Sequence, residues 1–196
     1  MTDDAGLLVV VTGPSGVGKG TVLRCVLERV SGAEMSVSAT TRAPRHDEVD
    51  GVHYHFLDAE TFAELVTADG LLEWATYLDR YYGTPLRPVQ ERVAAGAVVI
   101  LEIELEGARQ VRRRVPDALQ VFLAPPSPAE LERRLRTRGT ETEEQIERRL
   151  QIAEVEYEAR DEFDAVVVND SVEVACERIV ALITDARRGH RVPRGP

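Results

Sequence analysis

Apolar residues along the chain come in short continuous runs, separated by stretches in which they recur at helical spacing. Leu7 to Thr12, Ala97 to Ile103, Leu119 to Leu123 and Ala165 to Val168 are such runs, with a shorter one near Glu34 to Ser38. Short, β-branched runs of this kind predict strands buried on both faces. Between them, Lys19 to Val30, Leu86 to Ala95, Gly107 to Val115, Pro128 to Thr137, Thr142 to Arg160 and Val172 to Arg188 read as helices, with Ser127 and Ser171 standing where N-caps belong. Strand and helix in alternation predict an α/β fold, a parallel sheet flanked by helices, with ligands at the carboxyl ends of the strands.

From Ser38 to Thr84 that rhythm breaks. A Thr40-Thr41-Arg42-Ala43-Pro44-Arg45 run, a turn at Asp50-Gly51, the alternating Val52 to Phe56, a short helix pattern near Glu60 to Thr67, then Leu71 to Ala75 and Tyr81 to Thr84, predict an inserted, largely β lobe over 38–84. Residues 1–37 and 85–137 then belong to the core, as does 161–188, while the Arg-, Gly- and Pro-rich 189–196 is expected to be a disordered tail. Trp74 is assigned to core packing.

The loop after the first strand carries the chemistry. Gly13-Pro14-Ser15-Gly16-Val17-Gly18-Lys19-Gly20-Thr21 is a GxxxxGK phosphate loop placed between a buried strand and a helix. Glycines let successive N–H groups turn inward on an anion, the helix start adds partial positive charge, and Lys19 can reach the terminal phosphates of a nucleoside triphosphate. Gly20 stands where Ser or Thr usually follows the lysine, so no hydroxyl there can hold Mg²⁺. Thr21 can bond a phosphate oxygen, which leaves the metal to nucleotide phosphates and water, with no protein ligand assigned. That suits a kinase acting on a small phosphorylated acceptor. Val167-Val168-Asn169-Asp170 lacks the lysine of the GTPase guanine motif.

Composition narrows the partners. A chain of 196 residues with 43% hydrophobic content can bury a full core as one unit, and a net charge of −10 argues against a general nucleic-acid binder. No stretch approaches a membrane span, and the acidic, short Met1 to Gly6 does not read as a signal peptide, so a cytoplasmic protein is expected. Cys25 and Cys176, far apart and without a partner motif, are expected to be reduced thiols in or near the core.

Taken in order, GPSGVGKGT, the Ser38 to Arg45 run, Glu73-Trp74-Ala75, Tyr82-Gly83, Ala124-Pro125-Pro126-Ser127 and Arg138-Gly139-Thr140-Glu141-Thr142 closely resemble the guanylate kinase family from Leu8 to about Ile183. The resemblance implies a P-loop core with a GMP-binding lobe and a mobile lid, here 138–160. It implies transfer of the γ-phosphate of ATP to GMP, and to dGMP, with Mg²⁺. ATP would lie on Gly13 to Thr21 with Asn169 on the adenine side. Arg42, Arg45, Tyr54 and Tyr82 would cage the GMP phosphate, and Glu73, helped by Ser38, Thr84 and Glu102, would read guanine. Lys19, Arg42 and the lid arginines Arg138 and Arg149 would stabilise the transferring phosphoryl.

The chemistry fits those roles. A dianionic phosphate suits guanidinium forks and tyrosine hydroxyls. Guanine offers two donors, N1–H and the 2-amino group, to which a carboxylate is the matching acceptor. An acceptor phosphate already anionic near neutral pH needs positioning and electrostatics, not a base, and His46, His53, His55 and His190 have no metal-ligand spacing. Without the resemblance, Arg42 and Arg45 also fit solvated loop charges, the tyrosines sheet packing and Glu73 an outward strand position. Arg133 and Arg136 read as helix charges paired with glutamates. Glu102-Ile103-Glu104-Leu105-Glu106-Gly107 departs from the family pattern at Glu104, where Asp is usual, and at Glu106, where Gln is usual. Two other readings stand: a non-catalytic guanylate-kinase-like module that binds protein ligands, and a related kinase for another acceptor such as a ribose bisphosphate. Oligomeric state, monomer or homodimer, is left open.

Overall fold

The computed structural model describes residues 5–137 and 142–190. In chain order its first half holds β1 (Leu7–Thr12), α1 (Lys19–Arg29), β2 (Ala33–Met35), β3 (Ala39–Thr40), β4 (His55–Phe56), α2 (Ala59–Thr67), β5 (Leu71–Tyr77) and β6 (Arg80–Pro85). There follow α3 (Leu86–Ala94), β7 (Val98–Glu102), α4 (Leu105–Arg114), β8 (Leu119–Ala124), α5 (Pro128–Thr137), α6 (Glu143–Glu158), a 3-10 turn over Ala159–Glu162, β9 (Ala165–Val168) and α7 (Val172–Arg187).

Five strands form a parallel sheet in the order β2-β7-β1-β8-β9. The central strand β1 is buried on both faces because its side chains alternate between two cores. Val9 and Val11 pack with Val22, Val26, Ile179 and Ile183 of α1 and α7. Leu8 and Val10 face the other way, toward Val89, Ala108 and Val111 of α3 and α4. Truncating a fully buried Ile100 or Leu123 to alanine would cost about 2–5 kcal/mol. The order of the strands reverses at β1, so the loop leaving its carboxyl end opens into the crevice where such sheets bind ligands.

Side chains supply a missing acceptor at the starts of three helices, α2, α5 and α6. Ser127 Oγ accepts from Glu130 N–H (3.1 Å) ahead of α5, and Thr142 and Gln145 form a reciprocal capping box at α6. Ser171 does not cap α7; its own N–H donates to the Asp170 carboxylate instead (2.8 Å). Helix α4 begins at Leu105, two residues before the predicted Gly107.

The inserted segment is a four-stranded sheet, order β4-β3-β6-β5, with α2 against it and a small core of Ala39, Phe62 and Leu71. β5 and β6 are joined by Leu78 and Asp79, both left-handed (φ 46° and 58°). A register shift between Leu71 and Glu73 breaks the in-out alternation of β5. As a result three consecutive residues are buried: Leu71 in the lobe's core, Leu72 in the main core and Glu73 beside them.

Two expectations need correcting. Trp74 is not core: it is 38% exposed and meets Tyr81 edge-on, because the same shift turns Glu73 inward and Trp74 out. Cys25 and Cys176 are not separate thiols: α1 and α7 pack on one sheet face, bring their Cα atoms to 6.0 Å and join them as a disulfide. Helix packing, which linear spacing does not report, decides that pairing. No described helix is long and apolar enough to cross a membrane. Residues 191–196 of the expected tail lie outside the described residues.

Candidate active site

The phosphate loop is held open by glycine geometry. Gly13 has φ 144°, and a Cβ there would sit 2.1 Å from the Leu123 carbonyl oxygen, so only glycine lets the loop press against β8. Gly18, also left-handed (φ 99°), is the N-cap of α1. Lys19 curls over the loop and donates to Gly13 O (2.6 Å) and Pro14 O (3.4 Å). Burial lowers its pKa, opposed by the nearby carboxylates of Glu102, Glu156 and Glu104.

A cavity of about 400 Å³ adjoins the loop, lined by Gly16, Gly18, Thr21, Arg134, Asn169 and their neighbours. Asn169, assigned to the adenine side, is buried here, and its Nδ2 donates to Val17 O (2.8 Å). Arg134 was not singled out by its sequence position. Its guanidinium donates to Val17 O (3.1 Å), Asn169 O (3.0 Å) and Glu130 (2.8 Å), tying α5 to both walls of this cavity. Its spacing from Glu130 is that of an ordinary surface helix pair, so it carries no sequence signal. Arg136 does pair along the surface with Glu132 and Glu143, and Arg133 pairs with Glu130 while also lining the cavity.

A second cavity, about 340 Å³, lies between the lobe and the sheet's carboxyl edge and is lined by Ser38, Tyr54, Glu73, Tyr82 and Glu102, five of the residues assigned to GMP. Glu104, Glu106 and Gly107 complete the wall. Glu73 is only 6% exposed. Thr84 Oγ1, from the neighbouring strand, donates to its Oε1 (2.6 Å). Burial raises the Glu73 pKa; the Thr84 bonds pull it down and the Glu104 charge pushes it up.

Arg42 stands at the edge of this cavity, its guanidinium 5.4 Å from the centre of the Tyr54 ring. It makes a bidentate pair with Glu48 (2.9 and 2.8 Å), whose carboxylate also accepts the Arg45 N–H (2.7 Å). Arg42 first, then that backbone bond, pull the Glu48 pKa down to about 2. Glu48 is a residue the motifs did not single out: a planar carboxylate that presents Arg42 with the fork a phosphate would offer. The Arg45 side chain is exposed.

Arg149 is half-buried on α6, and Arg138 lies outside the described residues. One further carboxylate, on α6, faces both Lys19 of the loop and Glu104 of the second cavity. Glu156 Oε2 is buried with no hydrogen-bond partner, and burial pushes its pKa to about 7, Lys19 pulling down and Glu104 pushing up.

The family profile described as guanylate kinase matches residues 6–186. The chain belongs to the guanylate kinase family. It is 56% identical over 174 residues to a guanylate kinase of Prochlorococcus marinus (strain NATL2A), covering 89% of this chain and 94% of that one. It is 61% identical over 166 residues to one from Synechococcus sp. (strain CC9311), covering 85% and 87%. Its fold matches the crystal structure of guanylate kinase from Anaplasma phagocytophilum with a TM-score of 0.72 at 28% identity, over 96% of this chain and 87% of that one. As a guanylate kinase family member the chain is a nucleoside monophosphate kinase, a phosphotransferase.

Proposed function

We propose that this guanylate kinase family member transfers the γ-phosphate of ATP to GMP, and to dGMP, giving ADP and the nucleoside diphosphate, in the purine metabolism of the cytoplasm. The observation that carries the reading is the buried Glu73 carboxylate, pinned by Thr84 in a cavity flanked by Tyr54 and Tyr82. A carboxylate there accepts N1–H and the 2-amino group of guanine, and it meets adenine with an unsatisfied acceptor.

On the donor side, loop N–H groups and the α1 N-terminus take the ATP phosphates, with the base toward Asn169 and Arg134. Lys19 leaves the Gly13 and Pro14 carbonyls for the β- and γ-phosphates. On the acceptor side Arg42 exchanges Glu48 for the GMP phosphate, joined by Arg45 and the two tyrosines. An anionic oxygen of that phosphate is the nucleophile, so the protein aligns donor and acceptor and neutralises charge. Arg138 and Arg149 add charge when the lid segment closes and excludes water. The protein oxygens near the loop, those of Thr21 and Glu102, suit outer contacts to a hydrated ion, and among the described residues no cluster of three or more His, Cys, Asp or Glu surrounds a metal position. Mg²⁺ would be held by the ATP phosphates and water, as a phosphate-bound Mg²⁺ usually is, and would supply charge neutralisation there.

A coupled assay of ADP formation across GMP, dGMP, AMP, UMP and CMP tests the reading. We expect turnover with GMP and dGMP, and discrimination against AMP of roughly 10⁴-fold in kcat/KM, the scale for a site whose buried polar groups the wrong base leaves unpaired. Equal activity on AMP, or none on any guanine nucleotide, overturns it.

A further inference from the structure

β5 is an edge strand of the lobe's sheet, and such edges leave N–H and C=O groups without a strand partner. Here a helix of the core closes the edge. Gln110 on α4 takes both groups of one residue: its Oε1 accepts from Trp74 N–H (3.1 Å) and its Nε2 donates to Trp74 O (2.9 Å). A carboxamide can do this because it carries a donor and an acceptor side by side. One turn earlier, on the same face, Gly107 is buried against the residue that precedes Trp74. A Cβ on Gly107 would lie 2.9 Å from Glu73 Oε2 and 3.4 Å from its Cδ. One turn later, Arg114 pairs with Asp69 just ahead of the strand.

These contacts divide the Glu73 carboxylate between two bodies. Oε1 is fixed from the lobe by Thr84, whereas Oε2 is bounded from the core by the bare backbone of Gly107. The register shift that turns Glu73 inward falls just before it, and the Gln110 bonds hold the peptide just after it. We propose that Gly107 and Gln110 are positioning residues for base recognition: helix α4 sets where the guanine-reading carboxylate stands, Gly107 by leaving room for Oε2 and Gln110 by pinning the strand. The inference rests on Glu73 reading guanine. It gives Gly107, in the first turn of α4, a chemical reason to be glycine although its φ does not demand one.

The test compares GMP with IMP, which keeps N1–H and lacks the 2-amino group, in full-length Gly107→Ala, Gln110→Glu and Glu73→Gln enzymes. Gln110→Glu keeps size and the acceptor but loses the donor, so Trp74 O faces a carboxylate. We expect Gly107→Ala and Gln110→Glu each to lower the GMP:IMP ratio of kcat/KM by about tenfold, the equivalent of one hydrogen bond, with the KM for ATP unchanged. Glu73→Gln should collapse the same ratio. If Glu73→Gln collapses it while the two α4 variants keep the wild-type ratio, or lose GMP and IMP activity equally, the positioning role is wrong and the Glu73 reading stands. If Glu73→Gln leaves the ratio intact, both fall. Should Gly107→Ala fail to fold, Gln110→Glu decides alone.

Discussion

The donor and acceptor sides proposed for this enzyme are built by opposite means. The phosphate loop is one stretch, Gly13 to Thr21, whose binding groups are backbone N–H donors and one lysine, set by the turn from β1 into α1. The acceptor cavity draws on residues from Ser38 to Gly107, spread over the lobe, the end of β7 and the start of α4, and its recognising groups are side chains. The loop needs only its own strand and helix. The acceptor side needs the lobe docked against the core, which is why Leu72, Gln110 and Arg114 all lie at that seam. Their charges differ too: one buried ammonium among three carboxylates on the loop, and a wall of Glu73, Glu102, Glu104 and Glu106 with Arg42 at the rim on the other side. A backbone-built site takes any nucleotide phosphate. A side-chain-built site chooses a base.

Lys19→Ala should break the donor side most severely. Removing one charged contact to developing negative charge costs roughly 100-fold or more in turnover. Folding should survive, because Lys19 bonds only to loop carbonyls. Near-normal turnover in the folded variant would remove Lys19 from the mechanism.

On the acceptor side, Arg42→Ala and Arg45→Ala should each weaken GMP capture by about 2 kcal/mol, the loss of one charge-assisted contact, while ATP affinity holds. The two should differ in a second respect. Arg42→Ala also frees Glu48, whose pKa should climb from about 2 toward an ordinary carboxylate value, a shift that NMR titration can follow. Calorimetry showing ATP binding lost with GMP unaffected would reverse the assignment of the two sides.

The same contrast explains what could be read from the chain alone. β1 falls on its predicted residues, since a continuous apolar run reports burial on both faces and that is a local property; β9 falls on its own too, although its edge position leaves Val166 exposed. The phosphate loop is legible for the same reason, being contiguous. The acceptor residues are not: chemistry alone left Arg42, Arg45 and Glu73 open between binding and solvated roles, and only the family resemblance ordered them. Tertiary contacts without a linear signature were missed altogether. The β5–β6 turn uses Leu78, which has no preference for left-handed backbone. The joining of Cys25 to Cys176 and Arg134 reaching Val17 depend on which helix packs on which face, and the outward Trp74 depends on the register shift in β5.

A pH experiment sharpens the comparison at Glu73. Burial raises its pKa above the usual 4.5, so as pH falls the acceptor side loses its ionised carboxylate sooner than an exposed glutamate would. The acid limb of kcat/KM for GMP should therefore carry an apparent pKa above 4.5 that Glu73→Gln removes, beyond the titration of the GMP phosphate common to both enzymes. ATP binding by the same variant should keep its wild-type pH profile. An acid limb identical in wild type and variant would mean that Glu73 is not the titrating acceptor.

The smallest effect belongs to the residue that touches both regions. Glu156 comes from α6 to face Lys19 of the loop and Glu104 of the acceptor wall, with its Oε2 buried and unpartnered. Its pKa is raised from 4.5 to about 7, so the folded state holds this proton more tightly than the unfolded chain. The linkage therefore runs toward lower stability as pH rises: no cost below about pH 4.5, a growing cost through the interval, and the full cost above about 7. Glu156→Gln removes the ionisation and should stabilise the nucleotide-free protein at pH 8 by roughly 1–2 kcal/mol, allowing for the solvent that reaches this half-buried group. That corresponds to a rise in Tm of about 2–6 °C for a chain of this size, shrinking to little at pH 4.5. Thermal melts of the two proteins across that range check it. A variant equally stable or less stable at pH 8 would mean that Lys19 already compensates the buried charge, and that the loop and acceptor wall share a satisfied ion pair at their junction, not an uncompensated carboxylate.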